Sequence, residues 1–215
     1  MRVALLSAPE WRDAVPAARE RGAELICLPH LSFSPYVAAA RDRDGLEHAE
    51  RPLSRSFRDA AGLAGDAWLA ASAYESEGEG VFYVTARLGH AGAIAASYRQ
   101  RHVEAAPGRY EQMFWSPGHE PFEVADTPLG RTVLLVGLDL RTPAAWAEVA
   151  ARGAQVVLGG ASEPAELWAT TRRVAAGMAA AYGMTALIAN RSEPCAAFDR
   201  SGAELMPSHD TLFEL

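Results

Sequence analysis

The chain has 215 residues, a length that suits one domain with a large buried core. Apolar residues make up 49% and charged residues 22% of it, as in ordinary soluble globular proteins. The net charge of −7 and the scattered arginines exclude a basic surface for nucleic acid. We therefore predict a single domain over residues 1–215 with no nucleic-acid partner.

The small numbers of cysteines and histidines limit which disulfides and metal sites the chain can form. Cys27 and Cys195 are too few for a disulfide framework and indicate a cytoplasmic protein. The apolar run after Met1 is too short for a signal peptide, and the longest uncharged stretch, 174–190, is broken by Gly183, so we expect no membrane span. The six dispersed histidines show no metal-ligand spacing, and we expect no metal and no cofactor.

The first part of the chain alternates strands with helices. The expected elements are a strand at 3–7, a helix at 11–21, a strand at 25–28 and a helix at 54–64. Gly22 should end the first helix, and Pro16 should kink or shorten it. The irregular segment 29–52 between the second strand and the second helix has the length of loops that line a site or move.

Successive strands fill the middle of the chain, and alternation returns after them. The predicted elements are strands at 68–74, 81–88, 93–98, 122–124 and 132–136, a helix at 143–152, a strand at 156–158, a helix at 167–182 and a strand at 185–189. From Ala196 the tail is typical of a hairpin around residues 200–202. This order favours a sandwich in which helices cover mixed sheets.

Short segments spread along the chain follow one family pattern. Residues 22–30 read GAELICLPH, 93–103 AIAASYRQRHV, 111–118 EQMFWSPG, 127–131 TPLGR, 136–143 VGLDLRTP and 189–191 ANR. In this order they resemble the nitrilase superfamily of carbon–nitrogen hydrolases, whose segments read GADLIVFPE, G…YRKxHL, EKRYFTPG, TPxGR, ICYDLRFPE and ANR. The resemblance implies an α/β chain of the α+β type, folded as a four-layer αββα sandwich whose subunits commonly pair through their helical layers.

The chain departs from this pattern at the residues that carry the family's chemistry. In the family a Glu serves as general base, a Lys stabilises the oxyanion and a Cys attacks a nitrile or amide carbon. The resemblance places His30, Gln100 and Gly137 at these positions. All 20 residues in the Lys+Arg total are arginines, so no lysine can replace the missing one. Glu111, seven residues before Gly118, matches a second glutamate that supports the site in many members.

Other family positions have changed as well, whereas the surrounding motifs are kept. The changed positions outside the triad are Val84, Met178, Ala181 and Tyr182, and the segment after Arg191 is shorter than usual. From the resemblance we predict that a small-molecule site is lined by His30, Gln100, Glu111, Gly137 and Leu138.

Two functions stay open, from different classes. The favoured hypothesis is a pseudoenzyme that binds a small molecule, forms a homodimer or pairs with another protein. The alternative is a divergent amide-type hydrolase in which His30 and Glu111 activate a water. Structural roles are also open: His30 can cap a strand, and Glu111 and Asp139 can tie loops to backbone N–H groups. A metal site built from His30, His102 and Glu111 is a remote further alternative.

Overall fold

The computed structural model of this chain describes residues 1–7, 10–52, 55–209 and 211–215. Strands and helices alternate within these ranges, apart from five successive strands in the middle and three at the end. In chain order they are β1 (Arg2–Leu5), α1 (Trp11–Glu20), β2 (Leu25–Cys27), α2 (Arg55–Ala64), β3 (Trp68–Gly78), β4 (Val81–His90), β5 (Ala93–Arg99), β6 (Ala125–Thr127), β7 (Gly130–Val136), α3 (Pro143–Ala151), β8 (Val156–Ala161), α4 (Ala165–Tyr182), β9 (Thr185–Asn190), β10 (Ala196–Phe198) and β11 (Leu212–Glu214).

The strands form two mixed sheets. The first has six strands in the order β11-β1-β2-β3-β4-β5, and the second has five in the order β10-β9-β8-β7-β6. Strands β1, β2 and β3 are parallel, as are β7, β8 and β9, while the hairpins β3–β4–β5 and the edge strands are antiparallel. The parallel strands therefore need the helical crossovers that the alternating sequence pattern predicted.

Helices cover the outer face of each sheet. Helices α1 and α2 bury one apolar side each, including Trp11, Val15 and Phe57, in a cluster with the first sheet. Trp146 of α3 and Trp168 of α4 belong to the larger cluster that also fills the space between the sheets. The layers are therefore helix, sheet, sheet, helix, and the predicted αββα sandwich is confirmed. No helix in the described ranges is long and apolar enough to cross a membrane.

Local sequence explains several element ends. Ala91 and Gly92 both have positive φ, 49° and 80°, in the two-residue turn between β4 and β5, as a type I′ hairpin requires. Pro143 occupies the first turn of α3, where its missing N–H costs nothing. Gly183 ends α4 in the left-handed conformation, with φ 64°.

Pro16 lies inside α1, which continues to Glu20, one residue short of the predicted end. Two predicted features differ from the structure. The strand predicted at 122–124 is wrong, since the next strand is β6 at Ala125–Thr127. The tail turns back near Phe198, which bridges to Glu204, but then crosses to the first sheet and pairs as β11 with β1. Ser54, the first residue of the second predicted helix, lies outside the described residues.

Candidate functional site

His30 lies just past the end of β2 and is held between the two sheets. Its backbone N–H donates to Ala161 O at 3.3 Å, and Ser162 Oγ donates to His30 O at 2.7 Å. Arg191 also donates to the His30 carbonyl, at 3.4 Å. These contacts fix His30 to the end of β8, and its side chain has no exposed surface.

Gln100 follows β5 and connects the site residues. Its Oε1 lies 3.0 Å from His30 Nε2, and its Nε2 donates to Glu111 Oε2 at 3.0 Å and to His102 O at 2.7 Å. Two acceptors at one end of the amide fix its orientation, because a flipped amide would turn its oxygen towards the carboxylate and the carbonyl. Gln100 Oε1 therefore accepts a hydrogen bond from the N–H at His30 Nε2.

His30 is neutral in this setting. Burial, with a smaller effect of the nearby Arg109 guanidinium, lowers the pKa of His30 to about 3. A neutral imidazole carries one proton, and the bond to Gln100 places it on Nε2. His30 Nε2 is therefore a donor and has no lone pair with which to accept a proton.

Glu111 is fully buried at the start of a short 3₁₀ turn. Its Oε1 accepts from Tyr36 OH at 2.7 Å and Arg109 Nη2 at 3.4 Å, and its Oε2 accepts from Gln100 Nε2 and, at 3.1 Å, from Glu104 N. Burial raises the pKa of Glu111, and Arg109, Tyr36 and the Glu104 N–H oppose that rise. The donors occupy both oxygens and leave Glu111 poorly placed to take a proton from water.

Gly137 begins a 3₁₀ turn directly after β7, with φ +56°. A sharp turn of this kind, from a strand into a helix, presents the nucleophile in α/β-hydrolases. A Cβ at this position would lie 2.8 Å from Gln100 Nε2 and 3.1 Å from its Cδ. The amide of Gln100 thus occupies the space into which a side chain at 137 would extend.

The structure brings His30, Gln100, Glu111 and Gly137 together in one enclosed cluster. Leu138, the remaining predicted site residue, is half-buried, and its carbonyl oxygen accepts from Thr142 Oγ1 at 2.9 Å. Open clefts of about 680 and 700 Å³ lie elsewhere, beside the C-terminal tail and between α2 and the β4–β5 turn. Within the described ranges, no group of three or more His, Cys, Asp or Glu side chains could hold a metal ion.

His102 and Asp139 form a second polar pair next to this cluster. Asp139 is fully buried, and its carboxylate accepts from the backbone N–H groups of Arg101 and His102, each at 2.9 Å. His102 Nδ1 lies 2.5 Å from Asp139 Oδ1, and this contact raises the pKa of His102. Asp139 therefore ties the segment after β5 to the turn after β7, the structural role that the sequence left open.

The sequence did not indicate a buried ion-pair network beside Glu111. Arg109 pairs with Glu104 and Glu111, donates to Ser162 O at 3.1 Å and lies over the Tyr36 ring at 4.8 Å. Its neighbour Arg141 pairs with Glu104 at 2.5 Å and with the fully buried Glu163 at 3.2 Å. Only the position of Arg109, two residues before Glu111, could have drawn attention to it.

Burial keeps both cysteines in the thiol form. Burial raises the pKa of Cys27 to about 12 and that of Cys195 to about 11, so both stay thiols near neutral pH. Cys27 Sγ donates to Gly159 O at 3.3 Å, and Cys195 Sγ to Leu5 O at 3.4 Å. Both sulfurs are thus engaged with backbone carbonyls.

A family model described as carbon–nitrogen hydrolase matches residues 7–191, which is most of the chain. The chain belongs to the carbon–nitrogen hydrolase family. This confirms the resemblance drawn from the sequence. Among curated proteins, a citrullinase from Francisella tularensis subsp. tularensis is 27% identical over 145 residues, or 66% of this chain. The chain spans about half of the length of that relative, 50%.

Solved structures share the fold over nearly the whole chain. A carbon–nitrogen hydrolase from Helicobacter pylori G27 superposes with a TM-score of 0.84 at 20% identity, covering 99% of this chain and 86% of its own. A mutant amidase from Nesterenkonia sp. AN1, with acrylamide added at its active-site cysteine, has a TM-score of 0.77 at 24% identity, covering 100% of this chain and 93% of its own. At these identities the likeness shows the fold of this family member.

Proposed function

We propose that this carbon–nitrogen hydrolase family member binds a small molecule at the cluster around His30, Gln100 and Gly137 and does not hydrolyse it. One observation carries the proposal: the Gln100 amide bonds to His30 and Glu111 while lying against Gly137. The cluster therefore has no side chain at the expected nucleophile position and an uncharged amide where an oxyanion would need a cation.

The alternative, a hydrolase with a rebuilt site, is supported by the citrullinase relative. A water would then need a base with a free lone pair and a pKa near the working pH. His30 Nε2 carries a proton, and both oxygens of Glu111 face donors. The low pKa of His30, about 3, also makes its other nitrogen a weak base. These contacts favour binding over hydrolysis.

A hydrolysis assay with matched variants tests this proposal. Purified protein is incubated with citrulline, acetamide, acetonitrile and an N-carbamoyl amino acid, and released ammonia is measured beside the Nesterenkonia amidase as positive control. We expect wild type, His30→Ala and Glu111→Gln to give the same background rate. Release by wild type that is lost in His30→Ala would overturn the proposal and favour the rebuilt hydrolase.

Pairing with a second copy or another protein stays a prediction of the family resemblance. Sedimentation velocity of the purified chain checks whether it pairs with a second copy, and we expect a dimer. A monomer at all concentrations would contradict the homodimer and leave pairing with a different protein as the remaining prediction.

A further inference from the structure

An open cleft of about 680 Å³ lies beside the C-terminal tail. Its walls come from the segment that follows β9, from α4 and from the residues before and within β11. The four residues of the buried cluster, His30, Gln100, Glu111 and Gly137, do not line it. A cleft of this size suits a small organic molecule, so the residues in its walls indicate which chemistry it accepts.

Arg191, directly after β9, lines the cleft without a carboxylate partner. Its Nη2 donates to the carbonyl oxygens of Leu31 and Ser34, at 2.9 Å for Ser34, and its Nε donates to Ser162 Oγ at 3.4 Å. These acceptors are uncharged, and no carboxylate in the described ranges forms an ion pair with Arg191. Burial lowers the pKa of Arg191, although a guanidinium stays charged near neutral pH. A partly buried charge of this kind favours an anionic partner.

One nitrogen of this guanidinium is left to bind a ligand. Nε and Nη2 are directed at the Ser162 hydroxyl and at the turn after β2, which contains His30 and Leu31. Nη1 bonds to no group in the part of the chain that the structure describes. Since Nη1 carries two N–H groups and cannot accept, an acceptor in the cleft would satisfy it.

The charged side chains in the walls are two arginines and two glutamates, Arg172, Arg191, Glu193 and Glu204. Arg172 Nη2 pairs with Glu204, while the buried Nε of Arg172 has no hydrogen-bond partner among the described residues. Glu193 forms no ion pair with any residue in the described ranges. Its negative charge disfavours a doubly charged anion such as phosphate. A ligand with a single negative charge therefore fits the cleft best.

Apolar side chains complete the cleft. Leu205, Met206 and Phe213 line it, together with Pro194 and Pro207. Met206 is 79% exposed, the largest exposed fraction among the large apolar side chains of the described residues. Covering this side chain with the hydrocarbon part of a ligand removes apolar surface from water. The cleft thus places an apolar surface beside a guanidinium without a counter-ion.

We propose that this cleft is a binding site for a small monocarboxylate with an apolar body. The carboxylate accepts hydrogen bonds from Arg191 Nη1, and the apolar body covers Leu205 and Met206. A hydrogen bond between a guanidinium and a carboxylate is about twice as strong as a neutral one, so the carboxylate dominates the selectivity. The site is distinct from the buried cluster, and the proposal does not depend on the proposed function.

Three probes separate the contributions of charge and apolar body: hexanoate, hexan-1-ol and acetate. The methyl signal of Met206, assigned by its loss in Met206→Leu, is followed by NMR while each probe is titrated into the full chain. We expect a saturable shift with hexanoate, and affinities at least about tenfold lower for the other two. No saturable shift with hexanoate, or equal affinity for hexanoate and hexan-1-ol, would overturn the proposal.

Variants of the two arginines test the charge. Arg191→Gln should weaken hexanoate binding about tenfold or more, because a hydrogen bond to a charged group is lost. Arg172→Gln should weaken it about threefold through the loss of a nearby positive charge. The matched control is Arg173→Gln on the same helix, since Arg173 is exposed, donates to Thr170 Oγ1 at 3.3 Å and does not line the cleft.

A variant that strengthens binding keeps the test decisive if Arg191→Gln does not fold. Glu204→Gln removes a negative charge from the cleft and releases Arg172, so we expect hexanoate to bind about threefold more tightly. Glu166→Gln, an exposed change in the first turn of α4 outside the cleft, is its control and should leave the affinity unchanged. Equal affinities in Glu204→Gln, Arg172→Gln and wild type would overturn the site.

One further variant separates this site from the buried cluster. His30→Ala should bind hexanoate with the affinity of wild type, because the His30 side chain lies outside the cleft. Loss of hexanoate binding in His30→Ala would place the ligand at the buried cluster and overturn the assignment to the cleft. Ammonia release from the amide and nitrile substrates contradicts the proposed function alone.

Discussion

His30 and His102 lie on either side of Gln100, yet their surroundings give them opposite protonation behaviour. His30 is fully buried beside a neutral amide, and burial lowers its pKa to about 3. The side chain of His102 is 38% exposed and touches a buried carboxylate, and that contact raises its pKa. The comparison shows that the neighbouring groups, not the residue type, decide whether a histidine here carries charge.

The difference also separates two kinds of region. On one side, the Asp139 carboxylate links the segment after β5 to the turn after β7 by accepting hydrogen bonds from backbone N–H groups. The His30 side brings together an uncharged imidazole, an amide and a glycine. One scaffold thus places a buried carboxylate beside an uncharged imidazole–amide pair.

The largest expected effect comes from removing the carboxylate on the His102 side. Asp139→Ala leaves the partly buried N–H groups of Arg101 and His102 without their acceptor and removes the buried partner of His102, and we expect a loss of about 4 kcal/mol in the free energy of unfolding. Urea denaturation at pH 7 measures it. The exposed Asp126→Ala is the control and should change stability by less than about 0.5 kcal/mol. Similar values for both variants would contradict the supporting role of Asp139.

The pH dependence of stability should have opposite signs for the two histidines. His30 has a folded pKa below its unfolded value of about 6.5, so its contribution is present above pH 6.5 and is lost as pH falls towards 3. Between pH 7 and pH 4, wild type should lose about 3 kcal/mol more than His30→Gln.

His102 provides the contrasting case within the same measurement. Its folded pKa is raised, so its contribution is present below the unfolded pKa and is lost as pH rises through the folded pKa. Solvent reaches the His102 side of this pair and screens it, so we expect at most about 1 kcal/mol between wild type and His102→Gln at low pH. Denaturation curves from pH 4 to pH 9 check both histidines, and equal signs would contradict the comparison.

A smaller effect is expected from adding one methyl group on the His30 side. Gly137→Ala places a Cβ against Gln100 Nε2 at a positive φ, and we expect a loss of about 2 kcal/mol. In a double-mutant cycle with Gln100→Ala, part of this loss should disappear because the contact is removed.

The control is Gly177→Ala on α4, where a Cβ meets open space and should stabilise the helix by up to about 1 kcal/mol. Additive effects at Gly137 and Gln100 would show that the amide does not fill the space beside Gly137.

Much of the fold was predictable because its signals are local. Apolar runs predicted β2 and β8, and helical spacing with Pro143 and Gly183 at the ends predicted α3 and α4. The strand predicted at 122–124 was wrong, and β11 was missed, because three-residue strands carry little pattern and their pairing joins distant parts of the chain.

The sequence by itself determined the family and the layered fold, because motif order and side-chain type are properties of the chain alone. Tertiary structure alone decided that Gln100 fills the space beside Gly137 and that His30 carries its proton on Nε2. These facts depend on burial and on contacts between segments far apart in sequence. Spacing along the chain therefore carries no trace of them.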